Sequence, residues 1–599
     1  MRLKKKFLIT TADERAWKFD RPVIFLGEWC RLYSRRKIWE KMNAEILEPY
    51  GFETSKQKLD HHEAIQLENK IFFEFCELLN EFHGSNYSNR FWLILIGPWF
   101  KKIIRLLINR INTLKKLLLS YEITGTSTFR ENAQTLHTLN MLDTLQKIND
   151  DQWNNILNIK ILKFLESRKF KIYYADKEEN KNLNFHLKKN LSYQDKNFKN
   201  IFFNNIYKFY FMISKNFIKK DDAFIINSYL PLIDQIKLEL SLGQWPQLWR
   251  LGFNKSNWPI INKKYNQLLR KKLTKKLHYK CDNDLENIIR SLLFELIPVY
   301  YLEGFSDLNK ITNEQKWPKS PKFIFTSVSY NTDEFFKLWT AKQTEKGTKY
   351  FIGQHGNRYP IAWDKIDSIE QVTPYKFITW GWSDNTSLHK PSFIFKTAGK
   401  KNDFDSKGRL LLIQTINYHR FTTWDSHNAF LKYINEQFMF VNNLTSDPRI
   451  KLIVRLHPGS KFSDMQENLR WKDFDQNIEI NNGSIHINKL ISKSRLVVHS
   501  YDSTGILETL SRNIPTIAFW QNNFDHLREC AKPNYKLLLD AGIIHLSHES
   551  AANKVNEVWN DVDFWWNKNS IQDARKKFCD IYARTSDNPI TEIKKILES

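Results

Sequence analysis

The chain has 599 residues and a formal net charge of +25, with 42% hydrophobic and 14% aromatic residues. This length exceeds what one hydrophobic core usually supports, so we expect at least two domains, and the apolar content excludes a disordered chain. The five cysteines (Cys30, Cys76, Cys281, Cys530 and Cys579) show no metal-ligand or redox spacing. Scattered cysteines of this kind indicate reduced thiols in a cytoplasmic protein.

The positive charge suggests an anionic partner, although compositional bias is the simpler account, because lysine is abundant along the whole chain. No zinc-finger spacing or RNA-binding aromatic motif is present, so we expect no nucleic-acid partner. A peripheral contact with an anionic inner membrane fits the charge. The most apolar segment, Phe91 to Phe100, is too short to span a bilayer, and the N-terminal apolar stretch is too short for a signal peptide.

Strand-like and helical stretches alternate along the chain. Apolar runs at 7–10 and 22–26 predict the first strands, and helical periodicity follows from about residue 60. The range 154–300 is rich in Lys, Asn and aromatic residues with weak strand signals, and we expect it to be mainly helical. Strand-like runs resume at 322–326, and a polar linker near 398–408 precedes a second α/β series.

A strand-to-helix junction near the C-terminus carries the most information. A β-branched apolar run ends in Ser500, and the hydroxyl residues Ser503 and Thr504 lead through Gly505 into an amphipathic run. A helix that starts in this way presents backbone N–H groups and the positive end of its dipole, which together favour an anion. Glu508 lies one turn further, within reach of a ribose on a bound phosphate. The junction therefore predicts a nucleotide-phosphate site.

A second candidate for phosphate binding closes an earlier strand, where Arg455-Leu-His457-Pro458 forces the chain out of the sheet. His457 can donate a hydrogen bond to a phosphate or carboxylate, and Arg455 can pair with either. The sequence therefore places Arg455, His457 and Pro458 in the same donor site as the junction.

Candidate acceptor-side residues follow strands of the first half. His355 lies between two glycines in Gly353-Gln354-His355-Gly356 and has a pKa suited to proton transfer. Glu28 ends another strand beside an apolar Trp and could also accept a proton. Gln354, Trp380 and Trp382 are predicted to line the acceptor cleft, where the indoles could stack on sugar faces, although buried packing is more common for such side chains.

No metal or other cofactor is predicted beyond the nucleotide sugar as co-substrate. Asp403-Phe-Asp405 and Asp473-Phe-Asp475 mimic a metal-binding Asp-x-Asp pattern, but the first lies in the linker and the second in a polar loop. A helix dipole and basic side chains can neutralise a leaving phosphate without a metal.

Two resemblances rest on these motifs. His457-Pro458 followed by Ser503-Thr504 resembles the His-Pro and Ser/Thr motifs of bacterial sialyltransferases and Kdo transferases. This resemblance implies a CMP-linked sugar whose phosphate is held by His457, Ser503 and Thr504. It also implies an acidic base in the N-terminal domain, which Glu28 matches only by its position in the fold.

The chain as a whole resembles a family of surface-carbohydrate transferases, which implies glycan assembly without naming donor or acceptor. The motifs that carry this resemblance are Leu26-Gly-Glu-Trp-Cys30, Gly97-Pro-Trp-Phe100, Trp153-Asn154, Gly353-Gln-His-Gly356, Trp380-Gly-Trp382 and Arg455-Leu-His-Pro458.

The sequence thus predicts an α/β, GT-B-like fold in which two Rossmann-like domains face a cleft. Residues 1–400 form the acceptor-side domain, with a large, mainly helical insertion at about 55–310, and residues 401–599 form the nucleotide-sugar-binding domain with terminal helices. We expect a glycosyltransferase that moves a sugar from a nucleotide-sugar donor to a bacterial surface-polysaccharide or lipid-linked acceptor. The expected donor is CMP-linked, of Kdo or nonulosonic acid type.

Two alternatives stay open. A CDP-alditol phosphotransferase of teichoic-acid-like polymer synthesis shares a similar hydroxyl-rich turn and would transfer phosphate into its product. A basic, non-enzymatic protein that binds membrane or nucleic acid would lose binding steeply with salt.

Overall fold

In the computed structural model the chain forms three parallel β-sheets with helices packed around them. The predicted α/β class with parallel sheets is confirmed. The structure describes residues 3–129 except 49 and 52, 136–165, 170–175, 209–249 except 211, 261–278 except 262, 283–398 except 366 and 385, 404–416, and 427–599 except 522.

Sheet 1 is built around the first strand of the chain, whose apolar residues Phe7 and Leu8 lie opposite Val23 and Ile24. All its strands are parallel, in the order β3-β2-β1-β4-β5. This order matches the first five strands of a Rossmann-type sheet. The strands are β1 (Lys4–Ile9), β2 (Val23–Phe25), β3 (Ala44–Ile46), β4 (Tyr121–Phe129) and β5 (Lys171–Ala175).

Two long helices, α1 (Thr54–His83) and α2 (Asn89–Ser120), connect β3 to β4. Gly84 ends α1 in a left-handed conformation with φ of 60°, and the Ser88 hydroxyl caps α2. Among the described residues no helix, α2 included, combines the length and apolar character needed to cross a bilayer. Two shorter helices follow β4, namely α3 (Met141–Lys147) and α4 (Asp151–Leu165).

The range predicted as a mainly helical insertion also contributes strands, because β4, β5 and the first strand of sheet 2 all lie within 55–310. In β4 hydroxyl residues replace the aliphatic run that usually signals a buried parallel strand. The Thr126 hydroxyl is buried and donates to the Leu8 carbonyl (2.9 Å), so the sheet itself satisfies it.

Sheet 2 is parallel and follows the chain in simple order, β10-β9-β8-β7-β6. Its strands are β6 (Phe224–Ile226), β7 (Phe323–Thr326), β8 (Lys349–Gly353), β9 (Lys376–Thr379) and β10 (His389–Pro391). The helices of this region are α5 (Leu232–Ser241), α6 (Gln267–Leu277), α7 (Asp284–Leu296), α8 (Phe305–Asn313) and α9 (Glu334–Glu345).

Sheet 3 has the full doubly wound order, β13-β12-β11-β14-β15-β16, with every pair parallel. Its strands are β11 (Arg409–Ile413), β12 (Leu452–Arg455), β13 (Glu479–Asn481), β14 (Ser494–His499), β15 (Thr516–Phe519) and β16 (Ile544–His545). Its helices are α10 (His427–Asn442), α11 (Glu467–Phe474), α12 (Thr504–Ser511), α13 (Lys532–Asp540) and α14 (His548–Val558).

The last two helices join sheet 3 back to sheet 2. Helix α15 (Asn569–Tyr582) packs on α12 and α13, and α16 (Pro589–Glu598) packs on β7 and α5. Between them Arg584 donates its amide to the Trp380 carbonyl (2.9 Å) and accepts from the Ile394 amide (2.8 Å). The end of the chain therefore belongs to the packing of sheet 2.

Short helices complete the described elements. The α-helical ones are Arg36–Trp39, Ser329–Thr332, Arg358–Ile361, Ile369–Val372, Ser446–Ile450, Ile487–Ile491 and Val562–Trp566. Turns of 3₁₀-helix lie at Glu14–Ala16, Glu28–Cys30, Tyr33–Arg35, Lys215–Phe217, Val299–Tyr301, Trp363–Lys365, Ser460–Phe462, Glu529–Ala531 and Trp559–Asp561.

The cysteines in the described part of the chain form no disulfide bond with one another. Cys30, Cys76 and Cys579 are buried and Cys530 is exposed, while Cys281 lies outside the described residues. Burial raises the pKa of Cys579 to about 12 and that of Cys76 further above its usual range. Thiols with such high pKa values are poor nucleophiles.

The carboxyl ends of sheets 1 and 2 both face sheet 3. From the loop after β2, the Tyr33 hydroxyl donates to Asp473 of α11 (2.9 Å). From the loop after β8, the Asn357 amide donates to Thr504 at the start of α12 (3.2 Å). Open α/β sheets bind ligands at these edges, so the architecture points to the places where sheet 3 meets the other two.

A fully buried ion pair links helix α9 to the segments around it. Lys337 lies 2.9 Å from Glu334 and donates to the Tyr301 hydroxyl (2.7 Å). The Tyr301 hydroxyl and the Met141 amide both donate to Glu334 (2.9 and 2.8 Å). The arrangement compensates two charges that would otherwise be costly to bury.

We predict that Lys337→Met destabilises the protein by about 3–5 kcal/mol, because it leaves the Glu334 carboxylate buried without its cation. The midpoint of thermal or urea unfolding measures the loss. The double variant Glu334→Gln/Lys337→Met removes both charges and should recover most of the stability. A single variant as stable as the wild type would contradict the assigned role of the pair.

Candidate functional site

The predicted junction lies at the carboxyl end of β14, where the chain leaves the sheet and enters α12. Ser503 caps this helix, since its hydroxyl accepts a hydrogen bond from the Ile506 amide (3.3 Å). Thr504 and Gly505 form the first turn and are partly exposed, so neighbouring side chains do not fill the corner. A partly exposed first turn at the positive end of a helix dipole is suited to an anion.

His499 supports the junction from inside the sheet. Its Nδ1 lies 3.3 Å from the Ser503 hydroxyl and its Nε2 lies 3.4 Å from the Thr509 hydroxyl. Burial lowers the pKa of His499 from 6.5 to about 3, so the ring is neutral at ordinary pH. A Cβ on Gly505 would lie 2.6 Å from His499 Cε1, which makes glycine necessary at this position.

A loop of sheet 2 contacts the junction directly. Asn357 donates its amide to Thr504 Oγ1 (3.2 Å) and its Nδ2 to Asp502 Oδ1 (2.9 Å). The Tyr535 hydroxyl donates to Asp502 Oδ2 (2.9 Å), and His526 Nε2 lies 2.9 Å from the same oxygen. Because a largely buried carboxylate needs donors on all sides, these bonds fix the loop against the junction.

Gln354 shapes the segment that leads into this loop. Its Oε1 accepts from the Trp380 amide (2.9 Å) and from Trp382 Nε1 (2.7 Å), and its Nε2 donates to the Gly356 carbonyl (2.7 Å). Gln354 and Trp380 are completely buried and Trp382 is 6% exposed. In this structure these three side chains offer no ring face or amide to an acceptor, in contrast to the predicted stacking, and they act by holding the loop.

His355 lies in the middle of the loop, half-buried among aromatic side chains. The Tyr359 hydroxyl is 3.0 Å from its Nδ1. Burial lowers the pKa of His355 below its usual 6.5, and the negative charge of Glu370 opposes this shift. The imidazole is therefore neutral near pH 7, which is the form that accepts a proton. Three rings surround it at centroid distances of 5.3–6.2 Å: Tyr229, Tyr330 and Tyr359.

Two residues that were predicted to bind the nucleotide sugar already bond to other groups of the protein. The buried Ser500 hydroxyl donates to the Ile413 carbonyl (2.9 Å) and lies 2.7 Å from the Tyr433 hydroxyl. Glu508 forms an ion pair with Lys396 (2.7 Å), which follows β10 and so joins sheet 2 to sheet 3. Ser500 thus supports the turn, and one carboxylate oxygen of Glu508, Oε1, is engaged by Lys396.

The second predicted motif closes β12, which is separated from β14 by β11. Arg455 is buried and donates to the Leu456 carbonyl, so it holds the strand end in shape. His457, followed by Pro458, is exposed, and its Nδ1 accepts from the Gly459 amide (3.0 Å). The ring proton of a neutral His457 therefore lies on Nε2, where it can be donated to an anion. Partial desolvation and the Arg455 charge lower the pKa of His457.

Glu28 faces a different part of sheet 3 from His355. Both of its carboxylate oxygens accept hydrogen bonds from Arg31 (2.7 Å each). Its negative charge acts to raise the pKa of Arg470. Arg470 lies on α11, and this helix follows β12 and not β14. The structure therefore places the two predicted bases near different strands of sheet 3, Glu28 on the side of β12 and His355 on the side of β14.

The described aspartates of the two Asp-x-Asp patterns bond to other groups of the protein, and Asp405 accepts from the Lys407 amide (3.0 Å). Asp473 pairs with Arg36 (3.0 Å) and Asp475 pairs with Arg449 (2.9 Å), whereas Asp403 lies outside the described residues. Within the part of the chain that the structure describes, no group of three His, Cys, Asp or Glu side chains is arranged to hold a metal ion.

The family of the chain is established by its sequence. A family model described as LIC12162 family transferase matches residues 6–597. The chain belongs to this family. The predicted membership in a family of carbohydrate-related transferases is thereby confirmed at the level of a transferase. No curated protein matches the chain.

Three solved structures share a limited likeness with this LIC12162-family transferase. Spinosyn rhamnosyltransferase SpnG aligns at 12% identity over 49% of this chain and 77% of its own, with a TM-score of 0.29. WaaG, a glycosyltransferase involved in lipopolysaccharide biosynthesis, aligns at 12% over 63% and 99%, with a TM-score of 0.26. A proposed UDP-N-acetylglucosamine 2-epimerase from Listeria monocytogenes aligns at 11% over 60% and 95%, with a TM-score of 0.32. TM-scores this low bear on neither substrate nor mechanism.

Sequence reasoning missed the residues that join the loop to the junction in this LIC12162-family transferase. Asn357 directly follows the Gly-Gln-His-Gly motif, and Asp502 lies inside the junction, yet neither was assigned a role. An acidic residue between two hydroxyl residues at a predicted phosphate site was a usable signal, because its charge must be compensated. Tyr359 and His499 give no local signal, since ordinary core packing accounts equally well for such residues.

We predict that Gly505→Ala destabilises the protein by about 1–3 kcal/mol, because the new methyl group collides with the fixed His499 ring. The same change should weaken the binding of any ligand at the junction. Gly356→Ala is the matched control across the contact, where the nearest atom to a new Cβ is Thr504 Oγ1 at 3.5 Å. Unfolding midpoints compare the two variants. Equal stabilities for the two would contradict the packing described for Gly505.

Proposed function

We propose that this LIC12162-family transferase is a glycosyltransferase that binds a nucleotide sugar where sheets 2 and 3 meet. One observation carries the proposal: Asn357 bonds to both Thr504 and Asp502, so the His355 loop lies beside the first turn of α12. Group transfer needs an anion site and a proton acceptor held next to each other, and this contact supports such an arrangement.

In this proposal the donor phosphate lies on the first turn of α12, at Thr504 and Gly505, and His457 donates to it from Nε2. The negative charge of Asp502 is met by three donors, which leaves the helix dipole to act on the phosphate. These groups stabilise the leaving phosphate, so no metal or other cofactor enters the proposal. The His-Pro and Ser-Thr motifs support CMP as the nucleotide, carrying a sugar of Kdo or nonulosonic acid type.

His355 is the base in this proposal. Its neutral imidazole can accept the proton of an acceptor hydroxyl as that oxygen attacks the sugar. The Tyr359 hydroxyl contacts the ring, at 3.0 Å from Nδ1 and 3.1 Å from Nε2. Glu28 is the second candidate, but it would have to give up hydrogen bonds to Arg31 before it could accept a proton.

A bacterial surface polysaccharide or a lipid-linked glycan is the proposed acceptor. The net charge of +25 supports a peripheral contact with an anionic inner membrane, at which a lipid-linked acceptor would be presented. We place the protein on the cytoplasmic side of that membrane.

Nucleotide binding tests the donor site. We expect CMP to raise the melting temperature, since a ligand at 100 times its Kd stabilises the native state by about 2.7 kcal/mol. His457→Ala should lose most of this stabilisation, while the exposed His62→Ala should keep it. A wild-type protein that neither CMP nor UDP stabilises would remove the donor site from the proposal.

The pH profile tests the base. We expect kcat/KM to fall on the acid side only below pH 6.5, because the lowered pKa keeps His355 unprotonated above that point. His355→Asn should lower kcat by about 10²–10⁴ and abolish this acid limb. Release of CMP from a CMP-linked sugar with a bacterial glycan extract measures both effects.

His548→Asn is the control for this experiment, because His548 pairs with Glu436 outside the site. If His355→Asn keeps the wild-type rate and Glu28→Gln loses it, the base is Glu28 and the assignment of His355 is wrong.

A further inference from the structure

Sheet 1 and sheet 3 meet along a polar contact that the donor site does not use, and we name it the seam. The Ser34 amide donates to Gln466 Oε1 (2.7 Å), and the Tyr33 hydroxyl donates to Asp473 (2.9 Å). The seam follows the carboxyl ends of β2 and β12, where α/β sheets bind ligands. Its residues are Tyr33, Ser34 and Arg36 on one side and Gln466, Arg470 and Asp473 on the other.

Arg470 is held rigidly in the seam. Its guanidinium carbon lies 4.0 Å from the centre of the Tyr33 ring and 5.4 Å from that of Phe430. Its Nε donates to the Met465 carbonyl (3.0 Å). Stacking and this hydrogen bond together fix the plane of the guanidinium, so its two terminal nitrogens keep one orientation.

Arg470 also carries charge that the seam does not neutralise. Burial lowers the pKa of Arg470 to about 10, and two acids of this region are paired with other arginines. Glu28 is held by Arg31 at 2.7 Å, and Asp473 is held by Arg36 at 3.0 Å. No carboxylate of the described residues forms an ion pair with Arg470. A partly buried cation without an anion is unfavourable, so the seam is short of one negative charge.

Glu467, a further acid beside Arg470, does not form an ion pair with it. Glu467 is buried one turn earlier on α11, and burial raises its pKa to about 7. It accepts a hydrogen bond from the Ser463 hydroxyl (3.2 Å) instead of pairing with the guanidinium. The carboxyl therefore lies beside Arg470 without forming an ion pair with it.

We propose that Arg470 is the residue that binds the carboxylate of an acidic sugar, and that it determines the specificity of this transferase for such sugars. A guanidinium fork with a fixed plane matches the two oxygens of a carboxylate. The nearby charge of Glu28 favours a singly charged anion over a phosphate dianion, which it would repel more strongly. The inference rests on the proposed glycosyltransferase function, but it uses a different surface from the donor phosphate site.

Binding of free sugars tests the proposal. The probes are N-acetylneuraminate and glucuronate, with N-acetylglucosamine and glucose 1-phosphate as neutral and phosphate comparators, measured by calorimetric titration of the full chain. We expect the wild type to prefer the two acids, and Arg470→Gln to bind them about tenfold or more weakly. Equal binding of the acids by Arg470→Gln, or a wild-type preference for the phosphate, overturns the proposal.

Arg409→Gln is the matched control, because Arg409 lies at the start of β11, away from the seam, and pairs with Glu479 (2.8 Å). It should keep its affinity for acidic sugars within about twofold. If Arg470→Gln does not fold, Arg470→Lys keeps the charge without the fork and should show the same loss. Full affinity in Arg470→Lys would show that the fork is not the recognition element.

CMP titration separates this proposal from the donor site. CMP should bind the wild type and Arg470→Gln equally. If the wild type does not bind CMP, the proposed donor site is wrong, whereas the result with acidic sugars is unaffected. CMP-N-acetylneuraminate distinguishes the source of the carboxylate. Weaker binding of this compound by Arg470→Gln assigns the carboxylate to the donor, and unchanged binding with weaker glucuronate binding assigns it to the acceptor.

Discussion

The relative position of sheets 2 and 3 depends on the burial of one charge. Asp502 is a carboxylate with 9% of its side chain exposed, and its donors come from both sides of the contact. Asn357 reaches it from sheet 2, while Tyr535 and His526 reach it from sheet 3. Because a buried carboxylate is unfavourable without such donors, the two sheets must keep the arrangement that supplies them. That arrangement sets His355 beside α12 and so defines the site.

Features that depend only on residues close together in the sequence were predictable. Aliphatic runs such as 410–412 and 496–498 become parallel strands because both faces of a doubly wound sheet are covered. The hydroxyl residues and Gly505 after β14 form the expected capped helix start, since capping needs only residues within one turn. The expectation that the segment from Arg455 to Pro458 closes a strand is likewise met, since β12 ends at Arg455 and Pro458 lies three residues further on.

Features that depend on distant residues were not predictable. Asn357 and Asp502 are 145 positions apart, and nothing in the periodicity around either residue reveals that they touch. Glu508 looked available for a ribose because Lys396, which engages it, lies 112 positions earlier. Trp380 and Trp382 illustrate another limit, since an indole has the same sequence signature whether it is buried or lines a cleft. In β4 the neighbouring strand β1 accepts a hydrogen bond from the Thr126 hydroxyl. An inner strand can therefore have a polar composition that does not predict a buried strand.

The return of the C-terminus to sheet 2 makes that unit discontinuous along the gene. Its strands end near residue 391, yet the segment from Arg584 to the end of α16 completes its packing after all of sheet 3 has been made. During synthesis the last interface of sheet 2 can therefore close only after the residues of α16 have been made. A fragment cut at the linker would expose that interface, so recombinant or evolutionary exchange of sheet 3 requires two splice points.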